Sequence, residues 1–280
     1  MKKLKKLLFA MTAFIVAVSA VSAGFAFVAE RIEEIKNKGK KFIHKPYGIY
    51  ERFIKRPLDC FLSTGALMVL SPVMLFLTVF GAFKMKGNPF FTQKRPGRID
   101  PETGRETVFN LIKFKSMTDE KDENGRLLPD DVRLTDYGKM LRNTSLDELG
   151  ELLNIIKGDM AVVGPRPQLV RDMVFMTPEQ RKRHTVRQGL TGLAQCSGRN
   201  GISWEDKLRL DCEYIDNGIT FKNDMKIILK TVGKVFAQEG ISEEGMATAL
   251  DFGDYLLSTN KVSQEKYDEL QAEAAKLLKL

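Results

Sequence analysis

Between Asp59 and Lys84 the sequence reads CFLSTGALMVLSPVMLFLTVFGAF, a run of 24 residues without a charged side chain. A helix of about 20 apolar residues is long enough to span the hydrocarbon core of a bilayer and is long for a buried core helix. The run is interrupted near its middle at Ser71-Pro72. Because proline lacks a backbone donor and clashes with the preceding turn, the sequence predicts a membrane helix that bends at this point.

A second apolar segment, Leu7–Ala29, comes earlier in the chain and contains 23 uncharged residues. Four lysines precede it: Lys2, Lys3, Lys5 and Lys6. Two interpretations of this segment stay open. It is either a signal peptide, with small residues for cleavage at Val21–Ala23 or Gly24–Ala26, or a membrane helix that is retained.

The connector between the two segments, Glu30–Arg56, bears on their topology. It carries nine basic residues: Arg31, Lys36, Lys38, Lys40, Lys41, Lys45, Arg52, Lys55 and Arg56. If both segments crossed the membrane, this basic connector would lie outside the cytoplasm, against the positive-inside tendency. We therefore favour a re-entrant second segment, which enters one leaflet, bends at Ser71-Pro72 and leaves on the same face. The first segment then either spans with its N-terminus outside or lies in the membrane in another way.

The composition of the chain limits which residue types can serve as catalysts. Lysine and arginine number 44 against 36 acidic residues, a net charge of +8, which favours an anionic partner or serves solubility alone. The three cysteines, Cys60, Cys196 and Cys212, form no CxxC pair, which argues against a disulfide framework or a zinc site. The only histidines are His44 and His184, and we expect a structural role for each. Carboxylates therefore become the candidate catalysts.

After Lys84 the sequence is typical of a compact mixed domain, so the predicted fold class is a helix-rich α+β. Strands are predicted at Phe90–Gln93 and Val108–Ile112, a turn at Asp100–Gly104, a loop at Thr118–Asp131, and helices at Thr135–Arg142, Leu146–Ile156, Trp204–Ile215, Phe221–Phe236 and Ser263–Leu280. Gly158 is expected to end the second of these helices. The predicted division is a hydrophobic segment with its connector at 1–58, the re-entrant helix at 59–84, a catalytic domain at 85–240 and a tail at 241–280.

A basic ridge is predicted on the last helix of the domain. It consists of Lys222, Lys226, Lys230 and Lys234, which recur every four residues. Such a ridge either lies on anionic lipid or forms an ordinary solvated face.

Asp147 and Glu148 are adjacent acids at the predicted start of a helix. One interpretation is local: Ser145 and Glu148 fit a capping box, and acidic residues favour the first turn of a helix. The other is chemical, because free N–H groups at a helix N-terminus attract phosphate and keep a carboxylate ionised. An ionised carboxylate can attack phosphorus and form an acyl phosphate, while its neighbour ligates Mg²⁺ through a hard oxygen.

A diphosphate substrate also needs cations, and the same region supplies six. They are Lys113, Lys115, Arg142, Arg166, Arg187 and Arg199. Arg166 lies between two prolines, so it has little conformational freedom and suits a fixed phosphate contact. A single basic residue is more often a surface charge, and only the whole set supports a phosphate site.

Several short motifs follow one another in a set order. They are Lys55–Asp59, Ser71-Pro72, Phe91–Gly97, Lys113–Met117, Leu141–Leu149, Lys157–Met160, Val163–Pro167, Gly189–Gln195 and Gly198–Asn200. Each motif is weak alone, but the series closely resembles the monotopic phosphoglycosyl transferases, a group of bacterial sugar transferases. The resemblance covers about residues 47–252. Three positions depart from the family pattern: Gly150 and Gln188 stand where proline is usual, and Cys196-Ser197 replaces Val-Asn.

The resemblance implies a monotopic protein of the bacterial inner membrane, with a small catalytic domain on the cytoplasmic face. Sugar-1-phosphate would pass from a UDP-sugar to polyprenyl (undecaprenyl) phosphate, and UMP would leave. Asp147 would be the nucleophile on the β-phosphate, Glu148 would bind an Mg²⁺ cofactor, and Arg142 would contact phosphate.

The partners expected from the resemblance are the UDP-sugar, polyprenyl phosphate and membrane lipid, and not nucleic acid. A second copy of the chain or a downstream glycosyltransferase are additional partners that stay open. Two rival functions also stay open. A membrane-bound diphosphohydrolase would release nucleotide without any lipid, and a non-catalytic adaptor of an envelope-glycan complex would not need Asp147.

Overall fold

The computed structural model of the protein describes residues 2–36, 44–198, 202–237 and 250–279. The helices are α1 (Lys2–Lys36), α2 (Lys55–Lys84), α3 (Asp130–Arg133), α4 (Asp136–Asn143), α5 (Glu151–Lys157), α6 (Val170–Met173), α7 (Pro178–Arg181), α8 (Leu193–Gly198), α9 (Trp204–Asp216), α10 (Phe221–Ala237), α11 (Phe252–Ser258) and α12 (Gln264–Leu277). A π-helical turn covers Tyr50–Ile54, and 3₁₀ helices cover Leu146–Gly150 and Lys182–Thr185. The strands are β1 (Phe90–Ile99), β2 (Glu106–Phe114), β3 (Met160–Val163) and β4 (Gln188–Thr191).

Helices α1 and α2 are both long and apolar enough to cross a membrane, and they pack against each other in antiparallel directions. The seam between them is made of small polar side chains. Ser22 Oγ lies 2.9 Å from Cys60 Sγ, and Thr64 Oγ1 donates to Ser22 Oγ at 2.9 Å. Because small residues allow close approach of two backbones, this seam is typical of helices that associate in lipid.

The start and the end of α2 both contact the globular domain. At the start, the buried guanidinium of Arg56 donates to the carbonyl oxygens of Ile155 at 2.6 Å and Ile156 at 2.9 Å. Towards the end, Leu77 is buried, and its carbonyl oxygen accepts a hydrogen bond from Tyr137 at 3.3 Å. Between these contacts lies the apolar part of the helix.

The helix continues through Pro72, and Ser71 compensates for the missing donor. Proline at 72 cannot donate to the carbonyl of Met68, one turn earlier. The hydroxyl of Ser71 donates to that carbonyl instead, at 2.8 Å. The Ser71-Pro72 pair therefore interrupts the backbone ladder without leaving an unpaired oxygen in an apolar environment, which is how membrane helices tolerate proline. The predicted bend itself stays a prediction.

The described part of the domain contains two small two-stranded sheets. Strands β1 and β2 are antiparallel, with Phe90 opposite Phe114 and a bulge between Pro96 and Ile99. The predicted turn between them is confirmed, because Gly104 adopts a left-handed backbone with φ of 65° and donates to Asp100 O at 2.8 Å. Strands β3 and β4 are parallel and form a second sheet in the core.

A buried charge network connects the core behind the second sheet. Arg183 is fully buried and donates to Asp211 Oδ2 from Nε at 3.0 Å and from Nη2 at 2.7 Å. His184 is also fully buried, between Arg183 Nη1 and Glu106 Oε1, each at 3.2 Å. Burial lowers the pKa of His184 to about 4, so this histidine is neutral. Its surroundings agree with the structural role that we expected.

The C-terminal tail folds back onto the domain. The predicted tail helix is confirmed as α12, whose first turn is capped by the hydroxyl of Ser263. Ala274 packs against Val170 and Met173, and Phe252 of α11 packs against Leu208.

The positions that depart from the family pattern are closely packed. A side chain at Gly150 would place Cβ 2.6 Å from Ile112 O, so only glycine fits there. The buried amide of Gln188 donates to Arg183 O and Val186 O, each at 3.3 Å. Cys196 is buried in the core around the second sheet.

Candidate active site

The segment before the acidic pair differs from the sequence prediction. The predicted capping box is wrong, because the Ser145 side chain makes no capping hydrogen bond and its backbone is left-handed, with φ of 55°. The predicted continuous helix is also split, since a 3₁₀ helix covers Leu146–Gly150 and α5 begins at Glu151. Its predicted end at Gly158 is confirmed. Non-glycine residues with such a backbone occur preferentially at functional sites.

Lys113, at the end of β2, lies at the centre of three carboxylates. Its Nζ is 3.0 Å from Glu151 Oε1, 3.1 Å from Glu148 Oε1 and 4.0 Å from Asp147 Oδ2. Burial disfavours a charge on this lysine, but the neighbouring carboxylates more than offset that effect and raise its pKa. Lys113 is therefore a permanent ammonium that compensates three acids.

Glu148 is held in place by two cations. Its Oε1 accepts from Lys113 and from Arg166 Nη2, each at 3.1 Å. Burial by itself would raise the pKa of Glu148, but the two cations lower it to about 2. Glu148 is therefore ionised throughout the physiological range, and Arg166 is drawn to it from its position between two prolines.

Asp147 is in a different state from its neighbour. Its Oδ2 is beyond hydrogen-bond distance of Lys113, and its side chain is 15% exposed towards the cleft. Burial raises the pKa of this carboxyl, the charge of Glu148 adds to the effect, and Lys113 opposes it. The pair thus divides into one fixed carboxylate and one that is more basic and less constrained.

The structure brings six of the predicted site residues to one cleft. They are Lys113, Lys115, Arg142, Asp147, Glu148 and Arg166. Arg142 Nε donates to Ser116 Oγ at 3.1 Å, another residue that lines the cleft, and Lys115 forms an ion pair with Asp119.

Arg187 does not lie in this cleft. Its Nε donates to Gly158 O at 3.0 Å, and its Nη2 donates to Glu30 Oε2 of α1 at 2.7 Å. The structure therefore places it between α1 and the domain. Arg199 lies outside the described residues, and Ser71 and Pro72 of α2 are not among the residues that line the cleft.

Two residues at the site were missed in the sequence. Glu151 follows Glu148 by three positions and Asp147 by four, a helical spacing that could have identified it. Arg95 lies in the Phe91–Gly97 motif but was not predicted as a site residue. Its Nη1 donates to Pro167 O at 3.1 Å, so it supports the loop that carries Arg166.

The carboxylates fit Mg²⁺ only together with a substrate. Among the described residues no group of three or more acidic, histidine or cysteine ligands could hold a metal ion. Lys113 fills the space between Glu148 and Glu151. The two cations that contact Glu148, Lys113 and Arg166, both contact its Oε1 atom. None of the described contacts of Glu148 reaches its second oxygen, which is the atom that could bind a metal. Since Mg²⁺ is usually bound by one or two carboxylates, waters and substrate phosphates, this set suits an ion that accompanies a diphosphate.

The cleft has a volume of about 1680 Å³ and two chemically different parts. The apolar part is lined by Ala66 and Leu70 of α2 with Leu149, Leu152, Val162 and Leu190. The polar lining includes Lys94, Arg95, Arg171, Trp204 and Lys207, together with the acidic residues Asp172, Asp211 and Asp251. The Asp147–Glu148 pair lines the same cavity, so one space joins the membrane helix to the carboxylates and to a basic, aromatic surface.

Comparison with known proteins identifies the family of the chain. The family model for bacterial sugar transferases matches residues 50–238, which include α2, Asp147, Glu148 and all six predicted phosphate-binding cations. The chain belongs to the bacterial sugar transferase family. It is therefore a sugar transferase, and α1 and the C-terminal tail are additions outside the matched region.

Individual relatives extend this result. The chain is 44% identical over 199 residues to the uncharacterized sugar transferase EpsL of Bacillus subtilis, a match that covers 71% of this chain and 95% of EpsL. It is 32% identical to the undecaprenyl-phosphate galactose phosphotransferase of Salmonella typhimurium and 33% identical to the UDP-galactose-lipid carrier transferase of Erwinia amylovora. These two matches cover 68% of this chain but 42% of each relative.

Proposed function

We propose that the protein transfers a sugar-1-phosphate from a UDP-sugar to undecaprenyl phosphate or a related polyprenyl phosphate and releases UMP. The names of the Salmonella and Erwinia relatives support this choice of carrier and of donor class. The observation that carries the proposal is the single cleft in which an apolar wall from α2 meets Asp147, Glu148 and Lys113. A lipid phosphate needs such an apolar approach, and a sugar diphosphate needs the cations.

Asp147 is the proposed nucleophile. Its carboxylate oxygen attacks the β-phosphorus of the donor, the bond from phosphorus to the bridging oxygen breaks, and UMP leaves with the bonding electrons. The sugar phosphate then remains on Asp147 as an acyl phosphate. A phosphate oxygen of the carrier attacks the same phosphorus in the second step and frees the Asp147 carboxylate. The product is a polyprenyl diphosphate sugar.

The electrostatics explain why Asp147 and not Glu148 takes this role. A nucleophile needs an available lone pair, and Glu148 is held by two cations that lower its pKa to about 2. The pKa of Asp147 is raised instead, so its carboxylate is the more basic of the two. A stronger base is the better nucleophile once it is ionised.

The other residues bind and orient phosphate. Glu148 would hold Mg²⁺ beside the diphosphate, where the metal would supply positive charge to the phosphate oxygens and ease the departure of UMP. Arg142 and Lys115 lie on the same wall of the cleft and would contact phosphate oxygens of donor or carrier. Arg166 keeps Glu148 in place through its 3.1 Å contact.

A re-entrant α2 and a cytoplasmic domain complete the proposal. In a straight helix Arg56 and Leu77 would be about 30 Å apart, which is the thickness of the hydrocarbon core. A domain that contacts both residues could not stay on one side of a bilayer that such a helix crossed. A bend at Ser71-Pro72 removes the conflict, since both ends of α2 then return to the same face. The basic connector supports a cytoplasmic location for that face, because basic segments tend to stay on the cytoplasmic side.

The experiment that tests the function is UMP release by the purified, detergent-extracted chain. Mg²⁺, undecaprenyl phosphate and a panel of UDP-sugars are supplied. We expect UMP release that depends on the lipid, and we expect Asp147→Asn to lower it about a thousandfold or more. Asp136→Asn is the matched control, because the Asp136 side chain is 98% exposed. Mass spectrometry of the chain incubated with donor alone should detect the sugar phosphate on Asp147.

Two results would contradict the proposal. UMP release that is equally fast without lipid would indicate a diphosphohydrolase. Full activity of the Asp147→Asn variant would exclude the covalent route through this carboxylate.

A further inference from the structure

The C-terminal module, residues 250–278 with α11 and α12, forms part of the wall of the active-site cleft. Leu250, Asp251 and Leu278 line the same cavity as the catalytic carboxylates. The module lies outside the region that matches the family model, which ends at residue 238. It is therefore a part of the cleft wall that the family model does not cover.

Asp172 joins the module to the segment that follows Arg166. This carboxylate is buried, with Oδ1 accepting from the backbone N–H of Phe252 at 2.9 Å and Oδ2 from that of Leu169 at 3.2 Å. Leu169 is three positions after Arg166, which holds Glu148. The module thus contacts a short, doubly anchored segment that leads directly to the active site.

Two more contacts fix the module to other walls of the cleft. The indole Nε1 of Trp204 donates to Leu250 O at 3.0 Å, and its ring lies 5.2 Å from that of Phe252. Lys94 of β1 donates to Leu278 O at 2.9 Å. The module therefore connects β1, α9 and the segment after Arg166, three elements that surround the polar part of the cavity.

The chemistry of this part of the cleft fits a nucleoside diphosphate and not a polyprenyl chain. Lys94 and Lys207 supply positive charge there, and Arg171 forms an ion pair with Asp251 of the module. Lys207 Nζ lies 5.2 Å from the centroid of the Trp204 ring, so a cation and an aromatic side chain lie side by side, as suits a nucleoside diphosphate. An isoprenoid chain instead fits the apolar part, which is lined by α2. The two substrates would thus use different walls.

We propose that the C-terminal module forms the donor-binding wall of the cleft and sets the affinity for the UDP-sugar without taking part in carrier binding. This inference rests on the proposed function, because it assigns one of its two substrates to the module. The module acts by holding Trp204 and the segment after Arg166 in their positions, so it is a positioning element.

The test uses the fact that Trp204 is the only tryptophan of the chain, so its fluorescence reports whether the module is docked. Two variants disturb the module: a chain that stops after residue 249, and Gly253→Leu. A Cβ at Gly253 would be 2.6 Å from the Phe175 ring, so leucine there should displace the module without deleting it. Gly233→Leu is the matched control, because a Cβ at Gly233 meets nothing within 4 Å.

UDP binding is measured by calorimetry, without turnover, and the KM values for donor and carrier are measured separately. We expect both module variants to weaken UDP binding and to raise the donor KM by about tenfold or more, with the carrier KM unchanged. The control should behave as the parent chain.

A Gly253→Leu chain whose Trp204 emission has shifted but whose UDP affinity is unchanged would overturn the inference. So would an effect on the carrier KM alone. If UDP binds in a module-dependent manner but no UMP is released from any donor, the transfer reaction fails and the binding role of the module stands.

Discussion

Lys113 Nζ lies 3.1 Å from Glu148 Oε1 and thereby occupies the place that a cation would take between the active-site acids. The same ammonium is 3.0 Å from Glu151. An acidic cluster with a built-in cation stays charged before any substrate or metal arrives, because the lysine offsets the repulsion among the carboxylates. Lys113 therefore favours the ionised form of all three carboxylates, and Arg166 acts in the same direction.

Replacing Lys113 by methionine should move the activity to higher pH. The pKa of Asp147 is already raised by burial and by Glu148, and Lys113 is the largest influence that lowers it. Without this cation the pKa rises further, so Asp147 becomes protonated at a higher pH and loses its nucleophilic form there. We expect the acid limb of the kcat/KM profile, measured from about pH 5 to 9, to shift upward. Lys157→Met is the control, at a lysine with 68% exposure, and should leave the pH profile unchanged. If the acid limb lies at the same pH in the Lys113→Met and Lys157→Met variants, Lys113 does not lower the pKa of Asp147.

Glu148→Gln should weaken the response to Mg²⁺. The neutral amide keeps the size of the side chain but offers a poorer ligand to a hard cation. We expect kcat to fall about a hundredfold and the Mg²⁺ concentration needed for half-maximal rate to rise. The measurement is a Mg²⁺ titration of UMP release after treatment with a chelator. Glu123→Gln, in the exposed loop before α3, serves as the control. An unchanged Mg²⁺ requirement in Glu148→Gln would exclude Glu148 as a ligand.

Much of this site could be predicted from sequence because its signals are local. The Ser71-Pro72 interruption, the adjacent pair Asp147 and Glu148, and the proline-flanked Arg166 are each visible within a few residues. The helix end at Gly158 is also local and is confirmed by its left-handed backbone.

The sequence predictions were wrong where residues far apart in the chain determine the contacts of a side chain. Ser145 and Glu148 have the spacing of a capping box, but Glu148 turns to Lys113, which is 35 positions earlier, and to Arg166. Arg187 is indistinguishable in sequence from the phosphate-site cations, yet Glu30 of α1 pairs with it from 157 positions away. The ion-pair partners of Glu148 and Arg187 cannot be derived from neighbouring residues in the sequence. They depend on which charged side chains the fold buries together.

The buried Arg183–Asp211 pair should contribute strongly to stability. Both side chains are almost fully buried, with 0% and 2% exposure. Asp211→Ala would leave the guanidinium without its partner in the core, which costs about 3–5 kcal/mol in comparable cases. We expect a clear fall of the unfolding temperature, measured by circular dichroism in detergent. Glu269→Ala removes one partner of an exposed pair with Lys266 and should have little effect. Equal stability of both variants would show that the Arg183 charge finds another partner.

Helix α1 should be retained in the mature protein as a second membrane element. The candidate cleavage points near Val21–Ala23 lie within the seam where Ser22 contacts Cys60 and Thr64, and cleavage there would expose the polar face of α2. We expect the membrane-extracted protein to have its full mass of 31.7 kDa. Because Ser22 Oγ lies 2.9 Å from Cys60 Sγ, Ser22→Cys should form a disulfide with Cys60 under mild oxidation. Thr12→Cys, at an exposed position of α1, should not. Loss of the N-terminal segment from the purified chain, or equal cross-linking in both variants, would refute the packing of α1 on α2.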